Sequence, residues 1–255
     1  MMYVEHVPLA SSHGTRSLAV LRRSGLGPTL VWLGGFRSDM RATKAEALDG
    51  FAARTGRAFL RFDYSGHGES SGNFADGTIG GWTDDAFEVI RRHAGPAPLL
   101  IGSSMGGWIA LLAARELRTA GQLLSGLVLI APAVDFTDEL MWAQFPQSIR
   151  DEIMQDGQWL RDSQYSPEPY PITRALIEEG RTHNLFGKPI DPGCSVHILQ
   201  GMNDPDVPWQ HAMKLVEHLP ANATTLTLIK DGDHRLSRPQ DLAMLERAVT
   251  GMLVP

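Results

Sequence analysis

One cysteine, Cys194, stands in 255 residues, so no intrachain disulfide can form and a reducing compartment is the natural setting. No stretch approaches the roughly 18 apolar residues of a membrane-spanning helix. The longest apolar run, residues 127–134, carries Pro132 and has the length of a strand. Like charges form no block. With 23 basic and 29 acidic side chains the formal charge is −6, which gives nucleic acid or an anionic membrane no electrostatic hold. The 26 glycines and 16 prolines stay below the level that marks low-complexity chains. Residues 1–6 lack the basic-then-apolar order of a signal peptide and the arginines of a transit segment. The expectation is a soluble, cytoplasmic globular protein, sized for one domain (1–255) with one insertion.

The start predicts an antiparallel hairpin: apolar residues alternate through 3–9, Gly14 lies in a turn over 11–17, and 18–21 returns. Short continuous apolar runs follow at 30–33, 58–62, 99–101, 127–130, 196–199 and 226–229, which suits strands covered on both faces. Helix-length stretches lie between them, at 44–55, 82–93, 105–117, 209–219 and 239–253. The third is the clearest, because Met105, Trp108, Ile109, Leu112 and Ala113 share one helical face. The alternation predicts an α/β fold with a mostly parallel, doubly wound sheet. Between Asp135 and Pro192 it breaks. Residues 137–144, 147–155 and 172–183 read as helical, the Pro-rich 166–171 sits among them, and no sheet strand is expected. A cap over the site is one reading of this insertion; an edge or oligomer contact is the other.

G-x-S-x-G occurs twice, as Gly68-Glu69-Ser70-Ser71-Gly72 and as Gly102-Ser103-Ser104-Met105-Gly106. As a nucleophile elbow the motif needs a buried strand before it and a helix after it. The first copy runs into the polar Asn73-Phe74-Ala75-Asp76-Gly77, whereas the second is led in by Leu99-Leu100-Ile101 and led out by the amphipathic helix. Ser104 is therefore the candidate nucleophile. The spacing of Gly102 and Gly106 excludes Ser103.

A serine hydroxyl needs an imidazole to take its proton and a carboxylate to orient that imidazole. Downstream, His197 lies inside an apolar strand, and His211 and His218 share a helix that reads as a partly solvated face. His234, in the turn Asp231-Gly232-Asp233-His234-Arg235 after the last strand, falls at the sheet edge where ligands bind. It is the candidate base. Asp204 and Asp206 compete for the acid; Asp206 could instead accept hydrogen bonds in the turn or cap the helix opening at Pro208-Trp209, and Asp204 is preferred. Asp231 and Asp233 read as turn residues. An oxyanion hole needs backbone N–H donors, expected from Met105 and from Phe36 in the loop Gly34-Gly35-Phe36. Gly35 would let a substrate approach the backbone closely. Trp108, Trp209 and Trp142 are candidate pocket walls, although aromatic residues at such spacings are as often core. No metal or cofactor is implied, since His-Glu-x-x-His and clustered cysteines are missing and residues 66–72 depart from G-x-G-x-x-G.

Together these residues resemble the α/β-hydrolase superfamily, in which Asp63-Tyr64-Ser65-Gly66-His67-Gly68-Glu69-Ser70 matches a structural turn after the fourth strand. Gly35-Phe36-Arg37-Ser38-Asp39-Met40, Gly106-Gly107-Trp108, Gly201-Met202-Asn203-Asp204, Val207-Pro208-Trp209 and Asp233-His234-Arg235 are similar to its animal mitochondrial branch of palmitoyl-protein thioesterases and acyl-glucuronide esterases. The resemblance implies Ser104, Asp204 and His234 as a triad. It also implies a small-molecule acyl ester or thioester, or an acylated protein, as substrate. The 135–192 region matches least. The expected function is a serine hydrolase of carboxylic esters or thioesters. Peptide or carbon–carbon bond hydrolysis on the same triad, and a non-catalytic ligand-binding relative, are the alternatives.

Overall fold

Strands with no polar face must be covered from both sides, and here they occupy the middle of an eight-stranded sheet. The computed structural model describes residues 4–11, 14–162 and 168–253. The chain enters through β1 (Glu5–Ser11) and β2 (Gly14–Arg23), an antiparallel pair in which Glu5 faces Val20 and Ser11 faces Gly14. It continues through β3 (Leu26–Leu33), α1 (Thr43–Thr55), β4 (Arg57–Phe62), α2 (Ile79–His93), β5 (Leu99–Ser103), α3 (Met105–Thr119) and β6 (Gly126–Ile130). After the inserted segment come β7 (Gln158–Arg161) and β8 (Tyr170–Thr173) as a separate antiparallel ribbon, then β9 (Val196–Gly201) and β10 (Thr224–Ile229). The sheet order is β1-β2-β4-β3-β5-β6-β9-β10, parallel from β4 onward.

That order reverses at β3. The chain steps outward to β4 and then crosses back to β5 on the other side of β3. The loops after β3 and β5 therefore part, and open the crevice at which ligands of open α/β sheets bind. Side-chain alternation divides the core into two layers. Leu30 and Trp32 pack with Leu48 of α1 and with Leu245 and Val249 of α7 (Pro239–Met252). Val31 and Leu33 face the other layer, with Val89 of α2, Leu112 of α3 and Leu215 of α6 (Trp209–His218).

Two expectations need revision. The predicted turn over 11–17 is mostly strand, because Gly14 to Ser17 pair with Ser11 to Pro8; the start of the predicted hairpin at Tyr3 lies outside the described residues. The insertion is not all helical either. It holds a π-helical turn (Thr137–Met141), a 3-10 turn (Trp142–Gln144), α4 (Gln147–Asp156) and α5 (Arg174–Arg181), but also the β7–β8 ribbon. Residues 166 and 167 of the Pro-rich stretch lie outside the described residues. Buried Asp135 joins the start of the segment to its end, its carboxylate accepting from the amides of Leu185 and Phe186 at 2.8 Å each. Glu179 adds a tie by accepting from Gly80 N–H at 3.0 Å at the start of α2.

Candidate active site

Ser104 joins β5 to α3 with φ 55° and ψ −120°, a strained conformation for a residue with a side chain. Its neighbours hold it there. Ser104 N–H donates to the Ile130 carbonyl at 2.9 Å, and its own carbonyl accepts from Gly107 N–H at 2.9 Å and Ala133 N–H at 3.1 Å. The flanking glycines are a packing requirement. A Cβ on Gly102 would lie 2.3 Å from the Gly106 carbonyl oxygen, and one on Gly106 would lie 2.2 Å from that of Leu33. Ser103 is buried at the end of β5, whereas Ser104 keeps part of its surface open. The other copy of the motif is a clamp. Ser70 Oγ donates to the Asp63 carbonyl at 2.6 Å and accepts from Ala19 N–H at 2.8 Å, while Ser71 Oγ accepts from Ser17 N–H at 2.8 Å.

The loops after β9 and β10 bring the two other candidates together. His234 Nδ1 lies 2.8 Å from Asp204 Oδ2, across a separation of thirty residues. The Asp204 side chain is fully buried, and that of His234 keeps 18 % of its surface. Asp204 Oδ1 accepts from the amides of Asp206 and Val207 at 2.8 Å each, which fixes the carboxylate before any substrate arrives. Gln200, next to last in β9, lends a further donor, Nε2 at 3.3 Å from Asp204 Oδ2, while also reaching the Val207 carbonyl at 2.9 Å. The two loops touch because Gly201 has no side chain: a Cβ there would lie 2.5 Å from the Gly232 carbonyl oxygen. The N-cap of α6 is Pro208, which makes no side-chain cap hydrogen bond. Asp231 and Asp233 act in the turn, through Arg238 at 2.7 Å and Leu236 N–H at 2.9 Å. The candidate base and the candidate acid are thus joined. Among the described residues no hydrogen bond links Ser104 Oγ to His234, and such contacts are often long before substrate binds.

Gly35 brings the loop after β3 against the elbow; a Cβ there would sit 3.4 Å from Ser104 Cβ. Of the amides that follow, Ser38 N–H donates to the Gly35 carbonyl at 3.1 Å and Arg37 N–H to His67 Nε2 at 3.2 Å. Phe36 N–H has no acceptor among the described residues. Met105 opens α3, where the first amides have no partner within the helix. The Phe36 ring meets Phe74 at 4.9 Å, Phe136 at 5.6 Å and Tyr170 of β8 at 5.9 Å between centroids. The Arg37 guanidinium lies 4.7 Å from the Tyr170 ring centre.

The tryptophans divide. Trp108 is fully buried on α3 with its ring 5.7 Å from Phe136, so it backs the aromatic wall and offers a ligand no surface of its own. Trp209 is half-buried at the start of α6. Trp142 lies on the insertion between the guanidinium groups of Arg150 and Arg181, 5.6 and 4.9 Å from its ring. His211 is buried, not solvated, with Nε2 2.8 Å from the Val134 carbonyl oxygen. His197 serves the sheet, 3.0 Å from Thr227 Oγ1.

One cluster bears on metal binding. Asp204, Asp206 and His234 offer ligand atoms within 4.8 Å of one another. The Asp204 oxygens and His234 Nδ1 are already engaged with protein partners, so this donor set fits an imidazole–carboxylate pair better than a cation. Sequence reasoning missed Lys44 on α1, whose ammonium donates to the Arg235 carbonyl beside His234. Burial pushes the Lys44 pKa down to about 8, and Arg235 adds to the shift.

Comparison with known proteins agrees with this fold. The family model described as "Alpha/beta hydrolase family" matches residues 25–245. The mitochondrial palmitoyl-protein thioesterase ABHD10 of Mus musculus is 35% identical over 230 residues, covering 90% of this chain and 76% of that protein. Two solved structures superpose over nearly the whole chain. A putative hydrolase from Agrobacterium vitis S4 has a TM-score of 0.96 and 48% identity, with all of both chains covered. Mouse alpha/beta hydrolase domain-containing protein 10 has a TM-score of 0.85 and 32% identity, covering 97% of this chain and 98% of its own. With the elbow, the switch-point crevice and a family match over most of its length, the chain belongs to the alpha/beta hydrolase family.

Proposed function

We propose that this protein is a serine hydrolase that cleaves ester or thioester bonds through an acyl-Ser104 intermediate. The observation that carries the reading is the 2.8 Å contact between His234 and fully buried Asp204, in loops at the same edge of the parallel sheet as the strained Ser104 elbow. His234 Nε2 takes the hydroxyl proton as Ser104 Oγ bonds to the acyl carbon, and the carbonyl electron pair moves onto oxygen. Phe36 and Met105 N–H groups hold that oxyanion. Collapse breaks the bond to the alcohol or thiol, which leaves with the proton from the imidazolium. Water then gives a proton to His234 and attacks the acyl carbon; the acyl–Oγ bond breaks and Ser104 regains its proton. Asp204 keeps the ring in the tautomer with hydrogen on Nδ1.

The finer reading is an acyl-protein thioesterase or acyl-glucuronide esterase: substrates are fatty-acylated cysteine or activated esters. Its support is the one-third identity to a palmitoyl-protein thioesterase and the aromatic wall of Phe36, Phe74, Phe136 and Tyr170 beside the elbow. Residues 135–192 act as a cap, a role supported by the reach of Phe136 and Tyr170 to Phe36. Among the described residues no helix is long and apolar enough to cross a membrane. The single cysteine suits a reducing compartment such as the cytoplasm, while the matched relatives are mitochondrial by name.

Initial rates on an acyl-thioester, a p-nitrophenyl ester and an aminoacyl amide test the reaction class. Thioester and ester should turn over and the amide should not; amide cleavage at a comparable rate would move the assignment to peptidases. A fluorophosphonate should label Ser104 in the folded protein, and a binding-only relative would leave it unlabelled. Gly201→Ala should separate the acid and base loops. A misplacement near 1 Å can cost about 10²-fold, so kcat/KM for the ester should fall by at least about tenfold while the melting curve stays cooperative. An unchanged kcat/KM would mean that the close approach of Gly201 to Gly232 does not set the His234–Asp204 geometry.

A further inference from the structure

The turn that carries the first G-x-S-x-G copy reaches back to the loop after β3 at two points. Buried Asp63 accepts from Met40 N–H through Oδ1 at 2.6 Å, and from Glu69 N–H of its own turn through Oδ2 at 2.8 Å. His67 Nε2 stands 3.2 Å from Arg37 N–H. Arg37 has φ 57°, a left-handed conformation that a residue with a Cβ adopts only when its surroundings hold it there. Its immediate neighbour is Phe36, whose N–H is the proposed oxyanion donor.

The His67 ring is built for that one bond. Its Nδ1 lies 3.2 Å from the Ser65 carbonyl oxygen, which only accepts, so Nδ1 carries the hydrogen and Nε2 presents a lone pair. Tyr64, Phe74 and Trp82 surround the ring at 5.7, 5.2 and 5.2 Å between centroids. Burial pushes its pKa down to about 4, and the Arg37 charge acts in the same direction. The ring therefore stays neutral, and the lone pair available, at neutral pH. With Arg37 N–H held by His67 and Ser38 N–H by Gly35, Phe36 N–H is left for the substrate.

The geometry points to His67 as the positioning residue of the oxyanion hole: by accepting from Arg37 N–H it fixes the peptide that aims Phe36 N–H. The inference rests on the acyl-serine reading above and refines it. A purely structural role, packing within the aromatic cage, makes a different prediction, and two substitutions separate them. His67→Phe keeps the ring and its packing but removes the acceptor. His67→Gln loses ring packing but places Oε1 where Nε2 stood.

Melting temperature and ester kinetics are measured on both, with His67→Leu as a second acceptor-free variant should His67→Phe fail to fold. Wild-type labelling of Ser104 by a fluorophosphonate is run beside them, so that failure of the acyl-serine reading is seen separately. A positioning role predicts kcat lower by about 10- to 100-fold in the acceptor-free variants, as for a weakened oxyanion donor, with KM little changed. His67→Gln should stay within several-fold of wild-type kcat despite the larger loss in melting temperature. A boronate transition-state analogue should lose affinity in step with kcat. Wild-type kcat in an acceptor-free variant, an effect confined to KM, or kcat following melting temperature across the set would overturn the inference.

Discussion

Ser104→Ala should abolish all but about one part in 10⁶ of the turnover, the loss seen when the nucleophile of a serine triad is removed. What survives comes from binding and the oxyanion donors, because water can still attack a polarised carbonyl. The informative comparison is Ser70→Ala, since both serines stand at the centre of the same five-residue pattern. Ser70 Oγ spans the Asp63 carbonyl and Ala19 N–H, so its removal breaks two hydrogen bonds, one within the turn and one that pins it to β2. That should cost about 1–3 kcal/mol of stability and lower the melting temperature while leaving most of kcat in place. The two variants should therefore fail in opposite measurements: Ser104→Ala melts near wild type and is inactive, Ser70→Ala melts early and is active. The reverse pattern would transfer the nucleophile to the other loop and dismantle the proposed mechanism.

The same two motifs explain how far the fold was legible in the amino-acid sequence. Periodicity distinguished them because an elbow needs a buried strand and an amphipathic helix on either side, and those are properties of local sequence. Inner strands such as β5 and β6 were visible for the same reason: covered on both faces, they are buried throughout and apolar but for Ser103. The β7–β8 ribbon was not. Gln158–Arg161 alternates between exposed and half-buried residues, and its partner contains Pro171, so neither strand carries an apolar signature of its own.

The candidate site was legible in its proposed reacting groups and obscure in what supports them. Ser104, Asp204 and His234 announce themselves by residue type and by position after a strand. The supports act through single atoms whose partners are distant in sequence. His67 reaches Arg37 across thirty residues, and Lys44 reaches the carbonyl of Arg235 across 191. Gln200 carries a local signal, a polar side chain one residue before the end of the largely apolar β9. His211 was misread because a helical face looks solvated until the insertion and Phe186, 5.2 Å from its ring, are known to cover it.

Asp204→Asn should lower kcat by about 10⁴-fold, the effect known for serine triads in which the carboxylate becomes an amide. The amide oxygen could still accept from the amides of Asp206 and Val207, as Oδ1 does now at 2.8 Å. Its NH₂ would then face His234 Nδ1 in place of Oδ2. Donor against donor is repulsive, so the ring would move its hydrogen to Nε2, the atom that must accept the Ser104 proton. The loss would thus be one of tautomer, with folding largely spared. Asp206→Asn tests the alternative acid. Asp206 shares the loop, and its carboxylate lies within 4.8 Å of the same histidine atoms, but its backbone N–H is the group that Asp204 uses. That variant should keep kcat close to wild type, measured as ester hydrolysis with a melting curve alongside. If Asp206→Asn carried the 10⁴-fold loss and Asp204→Asn did not, His234 would have to turn toward the other carboxylate during the reaction, and the contact seen here would belong to a resting state.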